Sequence, residues 1–269
     1  MKLIITLSGK SKRFTDAGYK EKPFIKVLNK YIIEHVRGMY SEIDNSDIIF
    51  IVRNDDWMAQ TNIPRLFPGS MFKCVPPNAD GPVVSILSAS LTIPENEEVL
   101  ISYCDFVHSF SFYHFINYCR SNKLDGCVTA HKGFHPYRLY NKHFAFMRND
   151  GNKILEIKEK ESFTDNIFNE YASNGSYYFS SFRNMNKFFE SLVRSKNRSN
   201  KEFYVTMAYN EMIELGMRVN LYETKDFICL GTPEDVELVK AWKTVIELSG
   251  AETESEKLEL FKYWSNYYE

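Results

Sequence analysis

Leu3-Ile4-Ile5-Thr6-Leu7, followed at once by Ser8-Gly9-Lys10-Ser11-Lys12-Arg13-Phe14, is the stretch from which the fold is read. The apolar run is rich in branched side chains and ends abruptly in a polar loop, so it is too short for a membrane span or a secretory leader and reads as a buried strand. The loop behind it holds a glycine and three cations, Lys10, Lys12 and Arg13. A glycine-bearing turn at the carboxyl end of a parallel strand exposes backbone N–H groups, and the cations add charge suited to a polyphosphate. Ligands of open α/β sheets bind at that edge. On composition alone, a plain solvated basic loop is an equal reading.

Working outward, Asp47 to Val52, Val99 to Tyr103, Gly126 to Ala130 and Gly175 to Phe179 are further strand candidates. Between them Ile32 to Met39, Val83 to Leu91 and Phe112 to Cys119 carry apolar residues at helical spacing, and Met185, Phe188, Phe189, Leu192 and Val193 form one apolar helix face. Strands alternating with helices predict an α/β domain with a largely parallel sheet. We place that domain at 1–248 and a C-terminal helical extension of it at 249–269. Gly250-Ala251 reads as a hinge before a last helix, whose Leu258, Phe261, Tyr263 and Trp264 would dock onto the domain or onto a second subunit of a homodimer.

Composition narrows the function classes. The chain has 269 residues, 44% of them hydrophobic, enough to fill a core. Thirty-three Lys and Arg against thirty-five Asp and Glu leave a net charge of −2, which offers no general field for a nucleic-acid backbone. Five cysteines, Cys74, Cys104, Cys119, Cys127 and Cys229, are an odd set without a C-x-x-C pair and read as reduced thiols of a cytoplasmic protein. Neither a nucleic-acid nor a membrane partner is expected.

The segment L-S-G-K-S-K-R-F, continued by Lys22-Pro23-Phe24-Ile25-Lys26-Val27, resembles the nucleotidyltransferase signature G-x-G-[ST]-R-[FLM]…K-P-[LM]-[ILV]-x-[VIL]. The form with Ala17-Gly18-Tyr19 between its halves is similar to members from capsule and surface-polysaccharide clusters. The resemblance implies a Rossmann-like mixed, mainly parallel sheet flanked by helices, of the nucleotidyltransferase or GT-A type. It also implies that Ser8, Gly9, Lys10, Ser11 and Lys12 wrap the phosphates of an NTP, that Arg13 neutralises the β- and γ-phosphates, and that Lys22 meets the α-phosphate. Ser11 replaces the second glycine, which makes a turn with positive φ less comfortable there.

Later segments follow in the family's order. Asn78-Ala79-Asp80-Gly81-Pro82-Val83 falls where relatives place a loop under the nucleobase; Asn78 and Gly81 are its expected contacts, and Pro82 suits a first helical position. Asp105 ends an apolar strand and corresponds to the family's first metal ligand, magnesium being a hard cation that takes one or two carboxylates with phosphate oxygens and water. The other reading of Asp105 is a helix N-cap. Glu159 and Lys160 resemble the E-K-P segment, in which the glutamate binds sugar hydroxyls and the lysine the acceptor phosphate; read by composition, the segment is an exposed charged edge. Ala172 to Phe179 resembles the A-x-x-G-x-Y-x-F strand of the sugar pocket, bringing Asn174 and Gly175 to the acceptor. His131 to Pro136 is expected to be a loop over that pocket, with Lys132 as a phosphate contact.

Gly231-Thr232-Pro233-Glu234-Asp235 resembles the family's G-T-P-E-D segment, with Thr232 capping a helix. Many relatives carry a second metal-binding aspartate two residues before this glycine; Cys229 stands there, a poor ligand for magnesium, so the sequence leaves Asp226 or a water as the substitute, or a metal held by Asp105 and phosphates alone. Taken together the resemblance implies a Mg²⁺-dependent enzyme that transfers NMP from CTP, UTP, dTTP or GTP to a sugar 1-phosphate or another phosphorylated small molecule, with Arg13, Lys22, Asp105 and Lys160 catalytic. Ser11 and Cys229 also prompt a non-catalytic nucleotide-sugar sensor or regulatory subunit, against which Arg13, Lys22, Asp105 and Lys160 together argue. Two other readings are a GT-A glycosyltransferase using a nucleotide sugar and a cytidylyltransferase for a phosphorylated alcohol or amine such as phosphocholine. The first lacks a D-x-D motif at Cys104-Asp105-Phe106, and the second would ask Tyr171, Tyr177 and Tyr178 to form an aromatic cage.

Overall fold

The computed structural model describes residues 1–77, 80–135, 137–138, 143–199, 201–248, 250, 253 and 255–256. The chain order is β1 (Lys2–Thr6), α1 (Lys12–Asp16), β2 (Lys26–Val27), β3 (Lys30–Tyr31), α2 (Ile32–Gly38), β4 (Ile48–Arg53), α3 (Trp57–Leu66), β5 (Met71–Val75), α4 (Pro82–Ser88) and β6 (Val99–Tyr103). It continues through β7 (Phe106–Ser109), α5 (Phe112–Ser121), β8 (Gly126–His131), β9 (Ala145–Asp150), β10 (Lys153–Glu159) and β11 (Tyr171–Phe179). Last come α6 (Phe182–Ser195), α7 (Val205–Glu214), β12 (Val219–Glu223), β13 (Lys225–Cys229) and α8 (Pro233–Leu248).

Nine strands form one sheet in the order β5-β4-β1-β6-β11-β8-β12-β10-β9. The first four are mutually parallel, as the buried apolar runs require. Beyond β6 the sheet is mixed: β11 runs antiparallel to both β6 and β8, and β10 antiparallel to β12 and β9. Parallel pairing covers the first four strands and β8–β12, and the rest of the mixed sheet is antiparallel. For β9 and β10 the cause is local: the tight turn at Gly151 (φ 53°) joins them as an antiparallel pair.

Alternate residues of each strand feed two cores. Leu3 and Ile5 of β1 pack with Phe50, Leu100, Phe115 and Val236 on one face, while Ile4 packs with Ile51, Ile101, Phe189 and Met212 on the other. The apolar face predicted in α6 belongs to the second core, with Met185, Phe188, Phe189 and Leu192 all buried. The result is a sheet covered by helices on both faces. The expected apolar face of a terminal helix at Leu258, Phe261, Tyr263 and Trp264 lies outside the described residues. Cys74, Cys104, Cys119, Cys127 and Cys229 are all free thiols. No helix among the described residues is long and apolar enough to cross a membrane.

The topology sets the site. β4 and β6 flank β1 on opposite sides, so the chain changes direction across the sheet at the end of β1 and leaves a crevice there. β7 pairs with β13, Phe106 opposite Cys229, and Leu230 N–H donates to the Asp105 carbonyl at 2.7 Å, which lays the 229–235 segment beside the tip of β6. β9 also pairs with the start of β11, bending the β9–β10 hairpin back toward the crevice.

Candidate active site

Two adjoining pockets of about 290 Å³ and about 460 Å³ open at this edge, and Gly9, Lys10, Ser11, Lys22, Tyr103, Asp105, Glu202 and Tyr204 belong to the walls of both. They form one cleft with a shared middle.

The first pocket begins at the end of β1. The Ser8 hydroxyl donates to Ser85 Oγ at 2.7 Å, and Ser85 Oγ donates to the Gly81 carbonyl at 3.3 Å, tying the strand end to the start of α4. Ser11 adopts the left-handed conformation (φ 51°, ψ 28°), so the turn expected from a glycine is made here by serine at some cost in backbone energy. Buried Phe14 anchors the loop, while Lys10, Lys12 and Arg13 remain exposed. Buried Arg53, from the end of β4, donates to the Gly9 carbonyl at 2.6 Å and to Glu21 at 3.0 Å, bracing both halves of the basic segment. Gly81 has φ 96°, and a Cβ there would come within 2.8 Å of the Phe203 carbonyl oxygen. Pro82 is the first residue of α4, as expected. Asn78 lies outside the described residues.

In the middle, the Lys22 ammonium donates to Asp105 Oδ2 at 2.8 Å. Burial works to neutralise Lys22, but Asp105 outweighs it and holds its pKa above the usual lysine value, so it stays charged. Asp105 does not cap a helix: the N-cap of α5 is Ser111, whose hydroxyl accepts from His114 N–H.

Lys12, Arg13, Glu159, Lys160, Asn174 and Gly175 line the second pocket. Glu159 is half-buried; desolvation raises its carboxyl pKa to about 7, and it accepts from Thr206 Oγ1 at 2.5 Å. Lys160 has φ 62°; its backbone N–H donates to the Phe144 carbonyl, while its ammonium donates to the Tyr204 hydroxyl and lies 4.5 Å from the centre of that ring. Burial, with Arg13 and Lys160 nearby, holds His143 below the usual imidazole range. Gly175 (φ 100°) packs against the Phe106 ring, leaving no room for a side chain.

Three sequence expectations need revision. Lys132 lies outside both pockets, exposed, with its ammonium over the Tyr171 ring at 5.3 Å. Its neighbour His131 is the last residue of β8, buried and stacked on Phe227, so the strand continues where a loop was expected and turns Lys132 away. Asn174 lines the pocket, but its carboxamide is bound to His131 and Thr224 and supports the wall. Asp226 is exposed (φ 53°) at an irregularity in the β7–β13 pairing, and it is Phe227 that faces the cleft; Asp226 is therefore not placed to join Asp105. Instead, buried Asp235 accepts from the Cys229 thiol at 3.2 Å and from Thr232 N–H at 2.8 Å, while Asp235 N–H donates to Thr232 Oγ1, the cap expected at this helix start. A Cβ on Gly231 would lie 3.5 Å from Asp105 Oδ2 and 3.8 Å from Asp235 Oδ2, so the two carboxylates approach the same space. Of the three cage tyrosines only Tyr177 faces the cleft; Tyr171 is bound to Glu223 and Tyr178 to Glu98.

Arg53, Ser85, Glu202 and Tyr204 were not anticipated. A lone arginine ending an apolar strand is a usable signal for the first; the other three sit in helix or connecting segments with no pattern of their own.

The sequence model of the MobA-like NTP transferase domain family matches residues 3–158. No curated protein matches the chain in sequence. Among solved structures, the nucleoside-diphosphate-sugar pyrophosphorylase from Vibrio cholerae RC9 is 18% identical with a TM-score of 0.71, covering 88% of this chain and 98% of its own. The inositol-1-phosphate CTP transferase from T. maritima is 15% identical with a TM-score of 0.63, over 89% and 94%. A UDP-glucose pyrophosphorylase complexed with UDP-glucose is 16% identical with a TM-score of 0.68, over 90% and 98%. At such identities the likeness is one of fold.

Proposed function

We propose that this chain, which belongs to the family of MobA-like NTP transferase domains, joins NMP from an NTP to a phosphorylated small molecule, most fittingly a sugar 1-phosphate, with release of pyrophosphate. The observation that carries this reading is the shared middle of the cleft: Lys22 and Asp105 belong to both pockets, an arrangement that suits two substrates meeting at a cation and a carboxylate. The basic loop 8–13 would take the triphosphate in the first pocket, Gly81 giving close approach to the base. Glu159 and Lys160 would take hydroxyls and phosphate of the acceptor in the second.

In this reading an acceptor phosphate oxygen attacks the α-phosphorus in line, the bond from that phosphorus to the bridging oxygen breaks, and pyrophosphate leaves. No covalent intermediate on the protein is needed, so the work is positioning and charge neutralisation. Lys22 meets the charge growing on the α-phosphate, Arg13 that on the leaving group, and Lys160 orients the attacking phosphate. Magnesium would supply further neutralisation of the triphosphate. The donor chemistry suits it: Asp105 offers a hard oxygen at the junction, and Asp235 approaches the same space. Burial and the neighbouring carboxylates raise the Cys229 thiol pKa, keeping it neutral and a donor to Asp235. Among the described residues no three His, Cys, Asp or Glu side chains converge, so such a cation would draw most of its ligands from phosphate and water.

The Ala17-Gly18-Tyr19 form of the loop supports a place in surface-polysaccharide precursor synthesis in the cytoplasm. The dispersal of the cage tyrosines favours a polyol phosphate over phosphocholine. The test is pyrophosphate release from CTP, UTP, dTTP and GTP, each with a panel of phosphorylated sugars, polyols and choline. Release with one NTP and one acceptor class is expected; no release from any pair, or glycosyl transfer from a nucleotide sugar instead, overturns the reading.

A further inference from the structure

Residues 201–206 carry no recognisable sequence motif, yet they hold both Glu159 and Lys160 of the second pocket. Thr206 holds the Glu159 carboxylate, and Ser199, just before the segment, donates to the Glu159 carbonyl at 3.3 Å. The Tyr204 hydroxyl accepts from the Lys160 ammonium and donates to Glu202 Oε2. A phenol has one proton to give, so accepting from lysine and giving to glutamate fixes its direction. Burial and Glu202 raise the Tyr204 pKa, which keeps that proton in place. The same segment is sewn to the first pocket: Phe203 N–H donates to the Asp80 carbonyl at 2.7 Å, Val83 N–H to the Phe203 carbonyl at 3.3 Å, and Arg198 pairs with Asp80 at 2.9 Å.

We propose that Tyr204 is the positioning residue for Lys160, its hydroxyl and ring holding the ammonium so that the two remaining N–H donors face a phosphate group in the second pocket. Lysine is otherwise a flexible point charge whose ordering costs entropy. A side chain that takes one donor and covers one face of the ammonium meets that cost before the ligand arrives. Tyr204 thus acts through Lys160. The inference rests on the acceptor assignment made above, but it is tested on binding and does not need turnover.

The probe is inorganic phosphate, titrated by phosphorus NMR with the first pocket saturated by the α,β-methylene analogue of whichever NTP binds best. Tyr204→Phe, which keeps the ring and loses the hydroxyl, should weaken phosphate about tenfold, several times more than it weakens the analogue, with the melting temperature within a few degrees of wild type. Lys160→Ala should weaken it at least as much. The double variant should bind no more weakly than Lys160→Ala alone, the mark of a residue acting through another. Glu202→Gln, which alters the far side of the hydroxyl only, should show a smaller loss in the same direction and replaces the phenylalanine variant should that one not fold. Wild-type phosphate affinity in Tyr204→Phe, a further tenfold loss in the double variant, or no phosphate binding by the wild type overturns the proposal. Absence of pyrophosphate release from wild-type protein that still binds phosphate in this way would instead count against the transferase reading.

Discussion

The Lys22 ammonium and the Asp105 carboxylate meet at 2.8 Å in the wall between the two pockets, although they come from a loop after β1 and from the tip of β6. Both side chains are partly buried, and each offsets the other's charge until substrate arrives. Replacing Lys22 by alanine should therefore lower kcat/KM by two or more orders of magnitude while leaving far-UV circular dichroism unchanged. Full activity in a folded variant would remove the central cation from the proposed chemistry.

Asp105→Asn keeps an oxygen but loses the charge. Activity should vanish at low Mg²⁺ and recover little at high Mg²⁺, because a neutral amide oxygen is a much weaker ligand for a hard cation. A magnesium titration of initial rates measures this; turnover independent of the metal, or a bound Mg²⁺–NTP remote from Asp105, would refute it.

The two halves of the cleft should separate in binding. Glu159→Ala and Lys160→Ala are expected to lower acceptor affinity roughly tenfold or more and to leave NTP affinity nearly unchanged, since both side chains line the second pocket only. Calorimetric titrations with each ligand decide it. Loss of NTP binding with acceptor affinity intact would reverse the assignment.

Glu159 also makes a prediction in pH. Burial raises its pKa from about 4.5 to about 7 in the folded protein. Between these values the native state holds a proton that the unfolded chain has released, so this residue's contribution falls as pH rises from 4.5 to 7 and is constant above. Glu159→Gln should therefore gain stability over wild type at pH 8 relative to pH 4, by up to roughly 3 kcal/mol. Urea unfolding at the two pH values reads the difference; a constant offset would place the carboxyl in a more polar setting.

Gly81→Ala should be destabilising by about 1–3 kcal/mol and should raise the KM for NTP, because φ is 96° and a Cβ would collide with the Phe203 backbone. Thermal melts and NTP saturation curves check the two effects; wild-type values for both would mean that the turn tolerates a side chain.

How much of this was legible in the sequence follows from the range of each interaction. The strands β1, β4 and β6 are continuous apolar runs because parallel strands are buried on both faces, and that pattern is written locally. The basic loop, Lys22, Asp105 and the Glu159-Lys160 pair sit next to such runs or beside a proline, so their order along the chain pointed to the cleft. Composition and short motifs could not say which way a side chain turns at a strand end. Lys132 and Asp226 read as site residues until β8 proved one residue longer and the β7–β13 pairing proved irregular, since a shift of one position exchanges the two faces of a strand. Tyr204 carries no motif, and Asp235, although part of the G-T-P-E-D resemblance, offered in the sequence only its local capping relation to Thr232. The relations that matter for the site, Tyr204 to Lys160 and Asp235 to the space beside Asp105, join residues far apart along the chain, and only the tertiary structure brings the segment 201–206 over the β10 end and the start of α8 beside Asp105.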